Sequence, residues 1–419
     1  MKEKMAIIGT GIAGMSAAYF LHKDYDITVF EKKDYIGGHS NTIDVKKPEE
    51  TSFDTGFMVF NFETYPNLVK LFKKLDVKIK KSDMSFSVQN KTKGLEYSGS
   101  SLNHLFSQRK NLLNPSYYKF LMEINKFNQN APKLLEGNGN EYLTIGEYIE
   151  REKYSASFLE DYLIPMSSAV WSTPPNKMLN FPITTLVQFF YNHGFLGLNT
   201  QHQWYTVDGG SRNYCKKLTK PFSEKIHINA PVRGIFKEKD ETVTVHTDDG
   251  KTNFDKVVLA CHGDEALKML QNPTEKQLKI LTSFRYEKNR ATVHTDTSLM
   301  PSKKMAWASW NYIFKKVDSE ITASTIYYMN KLQGVSNENH FFISINGEKD
   351  INPEKVLKVI DYEHPLFDIE AIKAQKLLPS LNQDTSIYFT GSYFRYGFHE
   401  DALLSSVNLC ESILKRSVI

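Results

Sequence analysis

MAIIGTGIAGMSAAYFLHKDYDITVFEKKDYIGGHS, residues 5–40, decides the fold. Met5 to Ile8 is a short apolar strand, and Gly9, Gly11 and Gly14 follow it as a GxGxxG turn. MSAAYFLHK then continues as a helix, and DITVFE is a second strand ending in an acid, Glu31. Each part has a physical reason. Gly9 permits the tight turn, Gly11 lets backbone approach a pyrophosphate beside Ala13, and Gly14 allows close helix–strand packing. The helix N-terminus faces the phosphate charge. Glu31, 20 residues after Gly11 and followed by Lys32, is placed to accept hydrogen bonds from an adenosine ribose. A lone glycine triplet is weak evidence, but the whole strand–loop–helix–strand–acid order is that of a dinucleotide site. The acid favours an unphosphorylated ribose over a 2′-phosphate.

Two features turn the reading from NAD towards FAD. Gly37, Gly38 and His39 follow Glu31 closely, like the second glycine pair that sits against the same pyrophosphate in FAD-containing enzymes. DTGFMVFN, residues 54–61, is an apolar, glycine-opened segment in which Gly56, Phe57 and Met58 are suited to run beside a flavin ring. A simple NAD dehydrogenase would more often pass straight into alternating strand and helix.

The remaining bulk properties set limits. At 419 residues the chain is too long for one simple core, so two joined lobes are expected. A formal charge of +4 offers no argument for nucleic acid and only a weak one for an anionic membrane surface. Aromatic residues at 13% are abundant, as in proteins with large pockets. Cys215, Cys261 and Cys410 are scattered and lack CxxC spacing, which argues against a disulfide framework or structural zinc and fits a reducing cytoplasm. No signal peptide is read at the amino terminus, and TTLVQFFYNHGFLGL is too interrupted by Gln188, Asn192 and His193 for a membrane span. No HExxH pattern or serine nucleophile elbow is present, and no metal is expected.

Along the middle of the chain, residues 144–198 read as helical and aromatic, and most of these aromatics as a second core. WYTVDGGSRNYCKKL, 204–218, reads as strand, turn and helix, with Gly209 and Gly210 either approaching a cofactor or making a tight turn. Residues 226–260 read as three strands, and 291–346 as an antiparallel sheet built from ATVHTD, AWASWNYIF, ITASTIYYM and HFFISI.

Taken together, GTGIAG, Glu31, IGGHSNT, DTGFMVFN, PMSSAVWSTPP, FFYNHG, TVDGGSRNY, VHTD, AWASWNY and YFRYGFHEDAL span almost the whole chain. In this combination the chain resembles the FAD-dependent amine oxidase and phytoene desaturase superfamily. Within it, the chain is most similar to flavoproteins found beside bacterial cyclopropane-fatty-acid synthases, related to the amino-terminal half of plant cyclopropane synthases. The resemblance implies an α/β fold in which a Rossmann-type FAD-binding domain (GR2 type) is interleaved with a substrate domain of antiparallel sheet and helices. The expected division is 1–75, 201–265 and 376–419 for FAD binding, 76–200 for a helical substrate lobe and 266–375 for its sheet. It also implies that Val232 packs on adenine and that Gly391 and Ser392 meet the ribityl chain. The superfamily usually has an acid where Ser392 stands, and a hydroxyl makes that hydrogen bond more weakly.

The implied chemistry is hydride exchange between flavin N5 and an unsaturated or methyl-branched fatty acyl chain, free or in phospholipid. A cytoplasmic protein, with peripheral contact at the inner face of the membrane and a lipid methyltransferase as partner, is part of the same expectation. The alternatives are a fatty-acid double-bond isomerase, a small-amine oxidase, or a non-catalytic flavin-binding accessory. No lysine of the kind that holds a water near N5 in amine oxidases can be placed.

Candidate catalytic residues cluster in SIYFTGSYFRYGFHEDALLSSVNLCESILK, 386–415, where an aromatic turn joins a strand to a helix. His399 is suited to transfer a proton near neutral pH, or to orient the helix. Tyr393 and Tyr396 either wall the substrate side of the flavin or pack beneath the loop. Asp401 reads as helix N-cap, with Ala402 behind it at a helix start that faces the flavin. His294 and His193 are second-tier candidates in apolar settings, and Trp307 and Trp310 either line a tunnel or fill the core.

Overall fold

The computed structural model describes residues 2–137, 139–197, 200–317 and 320–419. At its centre, the strand Lys4–Ile8 is flanked by Asp26–Phe30 on one side and Lys256–Leu259 on the other. Ile226–His227 and Ile387–Phe389 close the two edges, and all five strands run parallel. Met5, Ala6, Ile7 and Ile8 are buried because both faces of the sheet are covered, as a parallel sheet requires. The helix Ile12–Leu21 and the terminal helix His399–Leu414 pack side by side on it, burying Ala17, Ala18, Leu403 and Val407.

A second, seven-stranded sheet faces this domain. Its order is Val356–Leu366, Arg285–His294, Phe342–Ile345, Glu320–Tyr328, Trp310–Val317, Phe86–Asn90 and Leu95–Ser98. One expectation needs correction. The sheet is not wholly antiparallel, since Phe86–Asn90 runs parallel to Trp310–Val317. MSFSVQN and GLEYSG, which read as short strands within 76–200, extend its edge.

Residues 226–260 form five strands rather than three. Asn229, at φ +52°, turns the chain after the first strand, Ile226–His227, before Val232–Lys237 begins. Gly250–Phe254 then separates from Lys256–Leu259 to close a three-stranded antiparallel meander.

One buried carboxylate ties three distant segments together. Asp54 Oδ1 accepts the Ser211 amide at 2.9 Å and the Thr42 hydroxyl at 2.6 Å, while its Oδ2 accepts Gln333 Nε2 at 2.9 Å. A charge this deep is tolerated only when its lone pairs are filled in this way. The DGGS segment is therefore a tight turn held on Asp54. Gly209 and Gly210 have φ of +73° and +90°, and neither lines the central cavity. No helix among the described residues is long and apolar enough to cross a membrane.

Candidate active site

Between the two sheets lies a cavity of about 1200 Å³, larger than the roughly 300–1000 Å³ typical of a small-ligand site. It has two ends of different chemistry.

The first end is built from glycine turns. Gly9, at φ +103°, curls against the Ala260 carbonyl, and a Cβ on Gly14 would sit 1.9 Å from the Gly9 carbonyl oxygen. That carbonyl forces glycine at 14. A Cβ on Gly11 would meet nothing within 4 Å, so this position opens into the cavity, and Gly38 packs against the Gly11 Cα. The helix Ile12–Leu21 has no side-chain cap, which leaves its first amides free for an anion. Glu31 is buried, with one carboxylate oxygen accepting the Thr10 amide at 2.9 Å and the other the Lys33 amide at 2.9 Å. The Thr10 hydroxyl also donates to the first oxygen, so one lone pair, on the oxygen that takes Lys33, remains for a ribose hydroxyl. Lys32 pairs with Glu265, which pulls Lys32 up in pKa against its burial.

Three histidines line this end. His39 stacks on Tyr362 with ring centroids 5.0 Å apart and lies 5.4 Å from His364 and 6.3 Å from His262. Burial, then the neighbouring histidines, holds His39 well below its ordinary pKa, and burial takes His364 down to about 4. His39 Nε2 and His262 Nδ1 are buried without a hydrogen-bond partner. Such orphaned polar atoms, beside open helix amides and a glycine cradle, fit the pyrophosphate and sugar of a dinucleotide. His262, Glu265 and Glu363 also bring ligand-type atoms within 4.8 Å of one another, but Lys32 already supplies the countercharge there.

The second end is aromatic. Phe57, Met58, Met84, Phe86, Met166 and Val170 line it with Trp171, Phe189, Phe195, Trp204, Trp310, Tyr327, Tyr396 and Phe398, and none is charged. All the Asp, Glu, Lys and Arg residues lining the cavity come from other segments: 31–33, 233–290 and 348–363. The aromatic residues hold one another. Phe189 stacks on Phe398 at 4.7 Å, and Trp171 lies 4.9 Å from Phe189 and 6.0 Å from Phe398. The helix Ile164–Trp171 ends at Ser172, a non-glycine residue at φ +49° followed by Thr173, Pro174 and Pro175, which cannot continue it. This stop aims Trp171, whose Nε1 donates to the Tyr396 carbonyl at 3.2 Å. The aromatic turn is therefore pinned from the opposite lobe.

The terminal helix joins the two ends. His399, its first residue, stacks on Phe57 with centroids 3.8 Å apart, and its Nε2 shares a hydrogen bond with the Tyr214 hydroxyl at 2.8 Å. Tyr214 in turn bonds Ser40. Glu400 turns away from the cavity and caps another helix, Pro66–Lys74, accepting the Asn67 and Leu68 amides at 2.9 Å each. That helix has no side-chain cap of its own, so removing Glu400 leaves buried donors unpaired at a cost of about 1–3 kcal/mol.

Of the residues expected to meet the cofactor, Gly9, Gly11, Ala13, Glu31, Lys32, Gly37, Gly38, His39, Gly56, Phe57, Met58, Val232, Gly391, Ser392 and Ala402 all line the cavity. Gly14 lies behind them as a packing position.

Four readings change. Asp401 does not line the cavity and is not the N-cap: the helix starts at His399, and Asp401 Oδ2 accepts the Phe398 amide at 2.9 Å from the third position. Burial raises its pKa to about 7. His399 is not the near-neutral group, because burial takes it down to about 3. His294 lies outside the cavity, fully buried, with Nε2 bonded to Ser344 at 2.8 Å and Nδ1 accepting the Asp296 amide. Tyr393 lines the cavity but is 1% exposed and packs under the loop on Phe284, with its hydroxyl unpaired.

His193 is a structural residue, its Nδ1 on the Phe189 carbonyl at 2.8 Å. Trp310 faces the cavity, whereas Trp307 packs elsewhere and donates to the Pro301 carbonyl. The reading from sequence missed Thr10, Tyr214, His262, Tyr362 and His364. Thr10 stood in plain view inside the glycine motif, but the others carry no local signal.

Comparison with known proteins agrees with this geometry. The family of flavin containing amine oxidoreductases matches residues 12–282. A stretch of 76 residues, 18% of the chain, is 36% identical to 15-cis-phytoene desaturase of Synechococcus elongatus, and covers 15% of that protein. Among solved structures, wild-type putrescine oxidase bound to putrescine has a TM-score of 0.70 at 13% identity, over 99% of this chain and 100% of that one. Cyclohexylamine oxidase from Brevibacterium oxydans gives 0.69 at 14% identity, over 99% and 100%. The CLA-producing fatty acid isomerase from P. acnes gives 0.67 at 14% identity, over 99% and 98%. At these identities the solved structures speak for the fold alone. The family match spans well over half the chain, so the chain belongs to the flavin containing amine oxidoreductase family and is a FAD-dependent oxidoreductase.

Proposed function

We propose that the substrate is an unsaturated or methyl-branched fatty acyl chain, free or within a phospholipid. One observation carries this reading: the aromatic end of the cavity presents no charged side chain among the described residues. An ammonium group entering it would find no carboxylate, whereas an acyl chain buries apolar surface against rigid rings. FAD, when bound, supplies reversible hydride acceptance.

The protein's own residues position the chain and exclude water. Phe189, Phe398 and Trp171 form a packed wall, and the Trp171 indole keeps Tyr396 against it. His399 is neutral throughout the physiological range, so it holds Tyr214 and the Phe57 ring in place and carries no charge into the cavity.

The same lining favours a second reading, double-bond isomerisation. Net desaturation needs a group to accept a proton, and among the described residues the one imidazole beside the aromatic end of the cavity is His399, a weak base at a pKa of about 3. Isomerisation returns the hydride and needs no such group, while aromatic faces stabilise developing positive charge.

Anaerobic mixing of the holoprotein with unsaturated phospholipid or free fatty acid tests both readings. Lasting loss of flavin absorbance marks oxidation of the acyl chain, and a shifted double bond with unchanged absorbance marks isomerisation. Neither outcome across an acyl panel, together with peroxide release on a panel of amines, would overturn the proposal.

A further inference from the structure

Outside the cavity, one surface stands apart in composition. Residues 97–122 contain Arg109, Lys110 and Lys119 but no aspartate or glutamate. The inner side of this segment is buried: Leu105, Tyr117 and Phe120 pack with Val88, Tyr97 and Tyr312. Its outer side is apolar and open, with Leu113 91% exposed, Leu102 and Met122 64%, and Leu112 45%.

The surface is continuous. The Tyr118 hydroxyl donates to the Leu112 carbonyl at 3.0 Å, and Arg109 bonds the Phe106 carbonyl at 3.0 Å and reaches the Met305 sulfur at 3.5 Å. Lys303 and Lys304 extend it beside Met305. Elsewhere, basic side chains such as Lys93, Lys177, Arg233 and Arg290 hold carboxylates. Among the described residues, none of Arg109, Lys110, Lys119, Lys303 and Lys304 lies within ion-pair distance of one.

The flanking acids are engaged inward, Glu96 by Ser302 and Glu123 by the Ser155 amide, so exposed leucines among unpaired cations make an interfacial surface: apolar side chains enter the boundary of a bilayer while cations meet lipid phosphates. We propose that this face docks on an anionic phospholipid bilayer. Charge complementarity selects that occupant, since a second copy of the chain would bring the same five cations against themselves. The proposal stands independently of the acyl-substrate reading. The two are spatially compatible, because Phe86 and Trp310 both line the cavity and pack against the buried side of this segment.

The test is sedimentation of the FAD-loaded protein with vesicles of mixed phosphatidylglycerol and phosphatidylcholine, or of phosphatidylcholine alone. The protein is expected to bind the anionic vesicles and to leave them as salt rises. Lys110→Glu/Lys119→Glu and, separately, Leu112→Ser/Leu113→Ser should each weaken binding at least about tenfold. Flavin content and melting temperature should be unchanged, since these side chains touch solvent. Failure to bind anionic vesicles, equal binding to phosphatidylcholine, or variants that bind like the parent would overturn the proposal. So would a dimer that the leucine variant abolishes in a protein without vesicle binding.

Discussion

Gly9, Gly11, Gly37 and Gly38 build one end of the cavity from residues 9–38, whereas Phe57, Trp171, Phe189, Trp310 and Phe398 build the other from across the chain. The glycine end binds through backbone: free amides and carbonyl contacts leave no room for a Cβ at Gly14. The aromatic end binds through side chains that hold one another, and the Trp171 indole fixes the turn they pack on. A backbone site tolerates almost no substitution but recognises one chemical unit in any protein that contains it. A side-chain site can be repacked, so substrate choice lies there.

The largest expected effect breaks the glycine end. Gly14→Val would drive a side chain into the Gly9 carbonyl, and we expect loss of both folding and flavin, read by melting and visible absorbance. Gly11→Ala is the informative partner, because its Cβ meets no protein atom within 4 Å. It should melt like the unloaded parent yet bind FAD at least about 100-fold more weakly, the displaced contact being charge-assisted. Normal FAD affinity in Gly11→Ala would remove the pyrophosphate from this turn.

A smaller effect sharpens the aromatic end. Met166→Glu places an unpaired carboxylate among uncharged rings and should lower kcat/KM for an acyl substrate at least about tenfold while flavin content is retained. Undiminished acyl turnover would show that the substrate does not enter this end.

A last effect, read in stability rather than in activity, concerns the helix between them. The folded pKa of Asp401, about 7, lies above that of an ordinary aspartate, so the folded protein holds a proton that the unfolded chain releases. Stability from this group is present at low pH and is lost as pH rises from about 4 through 7, at about 1.4 kcal/mol per pKa unit. Asp401→Asn should flatten that slope, measured as melting temperature against pH, and an unchanged slope would assign it to another group.

Legibility followed the same division. Cofactor residues were readable because each glycine and Glu31 answers a local backbone demand. His399 was open between a near-neutral proton carrier and a residue that orients the helix because sequence shows its chemistry but not its burial, and burial decides its pKa. Asp401 was read as a cap from its place before an apolar run, but the loop ends earlier than the pattern suggests, so the helix starts at His399 and Asp401 falls at its third position. His294 sits on an alternating strand, and nothing local reveals that Ser344 on the neighbouring strand satisfies it.

By itself, the sequence determined that a strand, a glycine turn, a helix and an acid would cradle a dinucleotide, because those contacts lie within one short segment of backbone. Only the tertiary structure decided which aromatic rings face the cavity, that Glu400 caps a helix more than 300 residues away, and that the aromatic end is free of charge among the described residues. Those outcomes depend on contacts between segments remote in the chain, where the same residue type serves equally as core, wall or cap until the fold supplies its neighbours.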